Sequence, residues 1–117
     1  MDRERRFKKH VVVVAEATKA YIEKNPLTDK TTNQFAMEAN ISRKQLQAAF
    51  KELTGMGIQE YLLAKRMQHA RKLLQTGITP IKEIASTCRY GTQRSFTTAF
   101  KKHIGLTPAE YRYQHSW

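Results

Sequence analysis

The sequence predicts an all-α chain of about seven helices. Three observations support this prediction. Apolar residues recur at three- and four-residue steps, which is the spacing of one face of a helix. Residues that cap or end helices separate these periodic stretches, and no convincing strand pattern occurs. The four valines at 11–14 also suit a strand, but the helical spacing extends well beyond them, over residues 7–22.

Capping and terminating residues divide the chain into the seven helices. Hydroxyl side chains satisfy the first backbone N–H groups of a helix, proline suits its first turn, and glycine closes its last turn. The predicted helices lie at about residues 7–24, 32–38, 43–53, 58–75, 81–87, 93–103 and 108–114, with signals at Asn25-Pro26, Thr31-Thr32, Ser42, Gly55, Gly77, Pro80, Thr92 and Pro108.

Charge restricts the class of partner. The 117 residues include 21 Lys and Arg against 10 Asp and Glu, a formal net charge of +11. This excess favours a polyanion, either nucleic acid or an anionic membrane surface. A membrane-bound helix would expose large apolar residues, whereas the aromatic residues here fall on core-forming stripes. No apolar run approaches the roughly 20 residues that cross a bilayer, and none is long enough for a signal peptide. We therefore expect a nucleic-acid partner, no membrane association and a cytoplasmic location.

An internal repeat organises the chain. A shift of fifty residues pairs Ala49-Phe50-Lys51 with Ala99-Phe100-Lys101, Gly55 with Gly105, and Glu60-Tyr61 with Glu110-Tyr111. Upstream of a turn the shift becomes 49, since Phe35-Ala36 pairs with Ile84-Ala85, so the second turn is one residue longer. We predict two related lobes at residues 1–56 and 77–117, joined by a connector helix within residues 57–76.

Each repeat has the outline of a helix-turn-helix, with a short helix, a tight turn and a second helix of about twelve residues. We call this second helix the reader helix, because it needs one apolar face for packing and one polar face for base edges. The predicted apolar faces are Leu46, Ala49, Phe50 and Leu53 in the first copy and Phe96, Ala99, Phe100 and Ile104 in the second. The predicted DNA-facing residues are Arg43, Lys44, Gln47, Ala48 and Lys51, and Gln93, Arg94, Thr97, Thr98 and Lys101.

The DNA-facing residues have suitable chemistry for a duplex. Gln47 and Gln93 suit adenine edges, and Lys44 and Arg94 suit guanine O6 and N7. Lys51, Lys101 and Lys102 lie at the distal ends of the reader helices, where they meet phosphates or remain solvated. No acidic residue occurs on either face before Glu52, at the edge of the first, and phosphates would repel acids there. Neither face offers an aromatic platform for unpaired bases, which disfavours a single-stranded partner.

Three segments resemble the DNA-binding domain of AraC/XylS-type transcription regulators: FAMEANISRKQLQAAFKELTG, IQEYLLAKRMQHARKLL and IKEIASTCRYGTQRSFTTAFKKHIGLTPAEYR. The resemblance covers about residues 28–113 and is most specific at the FKKHIGLTPAEYR ending. It implies two helix-turn-helix lobes bridged by a long helix and docked on successive major-groove turns of one DNA face. The DNA-reading positions of that family fall here on Lys44, Gln47 and Ala48, and on Gln93, Arg94 and Thr98.

The second turn departs from that family pattern. Arg89-Tyr90 stand where the family usually has Gly-Phe, and Gly91 follows directly. Glycine adopts a positive φ without steric cost, so Arg89 must either take that conformation or let the turn change shape. Arg94-Ser95 likewise replace a small polar residue and an aromatic one. These differences leave open how the second reader helix is presented.

Other classes of function find little support in the sequence. The four histidines show no metal-binding spacing with one another or with the single cysteine, Cys88. No base lies near Cys88 in the chain to activate it, and no glycine-rich phosphate loop occurs. We therefore expect no enzyme activity and no cofactor. Cys88 is interpreted as a small, partly buried apolar residue in a reducing compartment, with a redox-sensing thiol as the alternative.

The partners and the oligomeric state follow from the same patterns. The main alternative to DNA binding is a protein-interaction module that contacts RNA polymerase or another acidic protein, and both activities can coexist in an activator. Because the repeat supplies two reader helices in one chain, we expect a monomer on DNA, and a dimer only if a longer parent chain carries a dimerisation domain. Most relatives in the resembled family have such a domain or a sensor, so we favour a fragment of a longer regulator over a stand-alone one.

Overall fold

The computed structural model describes residues 7–115. Over this range the chain forms seven α-helices and no strand, which confirms the predicted all-α class. The helices are α1 Lys9–Lys24, α2 Thr32–Glu38, α3 Arg43–Thr54, α4 Ile58–Thr76, α5 Ile81–Thr87, α6 Gln93–Ile104 and α7 Pro108–His115. Each begins and ends within two residues of its predicted bounds.

Hydroxyl side chains begin four of these helices, namely α2, α3, α6 and, through Thr107, α7. The hydroxyl of Thr31 accepts a hydrogen bond from the N–H of Gln34, and the hydroxyl of Ser42 accepts one from the N–H of Gln45. The side-chain oxygen of each glutamine in turn accepts a hydrogen bond from the backbone N–H of the capping residue, so each pair forms a capping box. Thr92 caps α6 in the same way through its hydroxyl. Such caps stabilise a helix by about 0.5–2 kcal/mol.

Left-handed glycines end both reader helices. Gly55 follows α3 with φ 80° and Gly105 follows α6 with φ 96°. Their N–H groups donate to the carbonyls of Lys51 and Lys101 at 2.7 and 2.8 Å. A side chain at either position would be strained by the backbone conformation alone.

Packing separates two compact units, with the boundary between Leu63 and Ala64. The boundary lies inside α4, so residues 58–63 pack in the first unit and residues 64–76 in the second. The core of the first unit comes from α1 to α4 and consists of Val11, Ala15, Ile22, Phe35, Ala36, Leu46, Ala49, Phe50, Ile58 and Leu62.

Leu53 corrects one sequence expectation in the first unit. It was predicted on the apolar face of α3, yet 41% of its surface is exposed. The buried residues of α3 end at Phe50, so the last turn extends beyond the core although the helical spacing continues. The apolar face of α3 is therefore Leu46, Ala49 and Phe50.

The second unit has an aromatic core. The ring of Phe96 lies 5.6 Å from that of Tyr90 and 5.7 Å from that of Phe100, measured between centroids. The other large side chains of this unit that are fully buried are Met67, Leu74, Ile84, Cys88 and Pro108. Ala99 and Ile104, predicted to face inward on α6, are only half-buried. The two phenylalanines therefore supply most of the contact of α6 with the core.

The repeat in the sequence is also a repeat in the packing. Phe50 and Tyr61 meet edge to face at 5.4 Å and 78°, and Phe100 and Tyr111 meet in the same way at 5.6 Å and 75°. Edge-to-face pairs at this separation add about 0.5–1.5 kcal/mol to the burial of the rings. Each reader helix is thus held to the helix that follows it by an equivalent aromatic pair.

Tyr111 and Arg112 on α7 form hydrogen bonds with other parts of the second unit. The Tyr111 hydroxyl accepts hydrogen bonds from Arg71 and Gln75 on α4. Arg112 donates to the carbonyl of Leu74 at 3.1 Å and to that of Thr79. Tyr111 and Arg112 therefore hold α7 against the last turns of α4, and Arg112 also binds the loop between α4 and α5.

Cys88 is fully buried behind the second turn. Burial raises the pKa of its thiol to about 11. The thiolate, which is the reactive form, is therefore scarcely populated at neutral pH. This environment matches the interpretation of Cys88 as a packing residue, although it is more deeply buried than expected.

Candidate nucleic-acid interface

The two units share one turn conformation ahead of the reader helix. Among the described residues, Asn40 and Arg89 are the non-glycine residues with a positive φ, at 60° and 71°. They are 49 residues apart, which is the shift found in the sequence upstream of the turn. Arg89 therefore takes the left-handed conformation, and the turn does not change shape to avoid it. The extra residue of the second turn, Gly91, follows after the shared part.

Matching backbone hydrogen bonds fix this turn. The N–H of Ile41 donates to the carbonyl of Ala36 at 3.1 Å, and the N–H of Tyr90 donates to that of Ala85 at 3.0 Å. Each bond spans a left-handed residue and satisfies a carbonyl at the end of the preceding helix, as in a Schellman motif. The helices that precede the two reader helices, α2 and α5, consequently end with equivalent backbone geometry.

Arg89 provides a direct test of the strain in the second turn. A left-handed conformation costs a residue with a Cβ roughly 1–2 kcal/mol, whereas glycine adopts it freely. We expect Arg89→Gly to be more stable than Arg89→Ala by about 1 kcal/mol, because both variants lose the arginine side chain and only alanine keeps the strain. Thermal melts of the two variants measure the difference. Equal stabilities would show that residue 89 leaves the left-handed region in solution.

The exposed face of α3 presents most of its predicted DNA-facing residues together. Arg43, Lys44, Ala48 and Lys51 are exposed, while the opposite face is buried in the core. Gln47 departs from the expected outward position. It is half-buried, and its Oε1 accepts a hydrogen bond of 3.1 Å from the N–H of Ile58.

The exposed face of α6 has the same organisation. Gln93, Arg94, Thr98 and Lys101 are exposed, and Thr97 is half-buried, as is Gln47 at the matching position of α3. The Thr98 hydroxyl donates to the carbonyl of Arg94 at 3.1 Å, which leaves its oxygen as an acceptor and its methyl group for apolar contact.

Electrostatics favour an anion at both reader helices. Neither α3 nor α6 has an acidic residue in its first turn, where the helix dipole is positive. The last turns contain Lys51 in α3, and Lys101, Lys102 and His103 in α6. Within residues 7–115, no set of three or more His, Cys, Asp and Glu side chains is arranged to hold a metal ion. In that same range no helix has the length and apolar character needed to cross a membrane.

Comparison with known families identifies this arrangement. Residues 35–114 match the family described as helix-turn-helix domain, a span that contains both turns and both reader helices. The chain belongs to the AraC-type family of helix-turn-helix domains. It is therefore a DNA-binding domain of the kind found in transcription regulators and not an enzyme, as the sequence predicts.

Individual members of the AraC-type family agree with this assignment. The right origin-binding protein of Escherichia coli strain K12 is 39% identical over 82 residues, which are 70% of this chain and 28% of that protein. The C-terminal domain of AraT, a response regulator from Geobacillus stearothermophilus, is 33% identical with a TM-score of 0.82, covering 89% of this chain and 87% of that one. This chain spans 28–33% of the length of the curated relatives it matches.

One solved structure of the same fold contains DNA. The DNA-binding domain of AdpA, in complex with a target DNA, has a TM-score of 0.77 and 24% identity, covering 86% of this chain and 90% of that one. At this identity the likeness concerns the fold of the AraC-type domain.

Sequence reasoning missed the residues of α5 that lie beside the second reader helix. Lys82 and Ser86 line a surface depression together with Gln93 and the turn residues 90–92. In a helix-turn-helix the first helix crosses the DNA backbone, so its polar face also belongs to the candidate interface. The signal was available, because Lys82 and Ser86 are one helical turn apart on α5.

Proposed function

We propose that α3 and α6 enter the major groove of double-stranded DNA, and that one chain covers two adjacent major-groove turns to regulate transcription. The observation that supports this most strongly is the structural repeat: each unit has the same left-handed turn, a hydroxyl-capped reader helix and an exposed face free of acids in its first turn. The proposal implies a cytoplasmic location, because the partner is chromosomal DNA.

The exposed side chains divide into two groups in this proposal. Lys44 and Arg94 lie in the first turn of their helices, where a groove-entering helix meets base edges, and both suit guanine. Gln93 suits adenine, and Arg43, Ala48 and Thr98 complete the base-facing set. Lys51 and Lys101 lie in the last turns, where we expect contacts with phosphates.

Phosphate contacts add affinity without sequence choice. The caps of α3 and α6 do not bond every N–H group of the first turn. The remaining N–H groups are suitable donors to phosphate. Lys82 on α5 lies beside the start of α6 and can supply a further charge-assisted contact. These contacts set the position of each unit on the duplex, whereas the base-facing residues select the sequence.

A second function, contact with RNA polymerase or another protein, is favoured by apolar side chains outside the reader helices. Met37 on α2, Ile78 before α5 and Tyr113 on α7 are 78%, 84% and 89% exposed. We propose this contact as an addition to DNA binding rather than a replacement for it.

Sedimentation with a defined duplex of about 20 base pairs tests the proposed function. We expect one protein per duplex, because the two reader helices of one chain occupy two groove turns. Affinity should fall steeply with salt, with a slope of about −0.9 for each phosphate contact on a log–log plot. Obligate two-to-one binding, or no binding at low salt, would contradict the proposal. A nearly flat salt dependence would favour the protein-interaction function.

A further inference from the structure

Gln47 stands out because it connects α3 to the start of α4. Its Oε1 lies 3.1 Å from the backbone nitrogen of Ile58 and 3.6 Å from the position that a Cβ would take at Gly57. Ile58 is the first residue of α4 and is fully buried. The first N–H groups of a helix have no partner within the helix, and a buried one is costly when it is left unsatisfied. Gln47 supplies the missing acceptor.

The second unit shows why this bond is needed only in the first. The matching helix start has Thr107 and Pro108 in place of Gly57 and Ile58. The Thr107 hydroxyl accepts from the N–H of Glu110 at 3.1 Å, and Pro108 has no N–H to satisfy. The residue that matches Gln47 there is Thr97.

Three matched positions therefore change together between the units. Where the cap is a glycine without a side chain and the next residue has an N–H, the reader helix supplies a carboxamide. Where the cap has a hydroxyl and the next residue is proline, the reader helix has a shorter side chain. This pattern assigns the Gln47 carboxamide to the helix start rather than to solvent.

The bond limits what Gln47 can recognise. A glutamine identifies adenine by presenting its oxygen and nitrogen side by side to N6 and N7 of one base edge. Here the oxygen is held against the backbone of Gly57 and Ile58. It keeps a second lone pair, but it does not lie beside Nε2 in the plane of a base. Only Nε2 remains for DNA, and a single donor can donate equally to guanine O6 or N7, to thymine O4 and to adenine N7.

We propose that Gln47 is a positioning residue that holds the first reader helix to α4, and that it does not select adenine. The second part of this proposal rests on the proposed function. Sequence choice by the first unit then lies with Lys44, Arg43 and Ala48 on the exposed face of α3. This assignment replaces the expectation that Gln47 pairs with an adenine edge.

Amide hydrogen exchange of the free protein tests the positioning role without DNA. Gln47→Met keeps the length of the side chain and removes the acceptor. We expect the Ile58 amide to exchange at least about tenfold faster in this variant, and the melting temperature to fall by about 4–8 °C. The Gly57 amide, which Glu60 holds at 3.2 Å, is the internal control and should change less than about twofold. Thr97→Val is the matched control in the second unit and should leave the amides of α7 unchanged. Unchanged exchange at Ile58 in Gln47→Met would overturn the proposal.

Selection of bound sites from a random duplex library tests the second part. Gln47→Met should bind every site more weakly and keep every adenine that the unmodified protein selects. Lys44→Met is the control on the same face, and it should lose a selected guanine. An adenine that is selected by the unmodified protein and lost in Gln47→Met would overturn the proposal. If the unmodified protein enriches no site at all, the proposed function fails, while the exchange measurement still decides the role of Gln47.

Discussion

Replacing Phe50 or Phe100 with alanine is expected to lower the free energy of unfolding by about 3–5 kcal/mol, the usual range for a fully buried phenylalanine. Each ring is fully buried, and each packs edge to face on the tyrosine that follows its reader helix. Alanine would remove the apolar contact and leave a cavity between the reader helix and that tyrosine. Because a domain of this size has only about 5–15 kcal/mol of stability, either change removes a large share of it.

Thermal and urea denaturation measure this effect, and Leu53→Ala is the matched control. Leu53 lies on the same helix as Phe50 but is 41% exposed, so we expect a loss below about 1 kcal/mol. If Phe50→Ala and Leu53→Ala cost the same, Phe50 would not be a core residue and the orientation of α3 would be wrong.

Replacing Arg94 with alanine should weaken binding to the preferred site by about 1–3 kcal/mol and relax the choice of one or two base pairs. Arg94 is exposed in the first turn of α6, where a reader helix meets base edges. Replacing Lys101, in the last turn of the same helix, should weaken binding to all sequences alike and reduce the salt slope by about one. The two variants remove a positive charge from the same helix, so each controls for the other.

Binding of both variants to the preferred duplex and to a scrambled one separates these effects. If Arg94→Ala weakens both duplexes equally, α6 holds phosphates and sequence choice rests with α3. With Arg89 left-handed, the second turn keeps the backbone of the first as far as Tyr90. Thr97 is half-buried, like Gln47 at the matching position, so α6 presents the same face to solvent as α3.

Local signals explain why the helices could be predicted from the sequence. Thr31, Ser42 and Thr92 cap their helices through bonds to residues three positions away, and Gly55 and Gly105 end theirs with a positive φ. These interactions depend on neighbours in the chain and need no knowledge of the fold. The repeat added long-range information, because it showed that two segments build equivalent units.

Contacts between distant residues explain what the sequence did not reveal. Leu53 fits the apolar spacing of α3, yet it is largely exposed because the buried residues of that helix end at Phe50. Helical spacing places Gln47 on the polar face. Its side chain is instead held by a hydrogen bond from the backbone N–H of Ile58, eleven residues further along the chain. The sequence left open whether Arg89 adopts a positive φ or the turn changes shape. The hydrogen bond from the N–H of Tyr90 to the carbonyl of Ala85 stabilises the left-handed conformation. Lys82 lies on α5, so the outward faces of the two reader helices do not predict its place beside Gln93.

Selection of bound sites from a random duplex library, at two salt concentrations, tests most directly the claim that both reader helices read one duplex. We expect an enriched site with two blocks of preferred bases whose centres lie about 10–10.5 base pairs apart, the spacing of one turn of DNA. Higher salt should weaken binding strongly and preserve both blocks, because phosphate contacts carry the salt dependence and base contacts carry the choice. A single enriched block would contradict the claim for one of the two units. Recovery of unrelated sequences at both salt concentrations would contradict it for both.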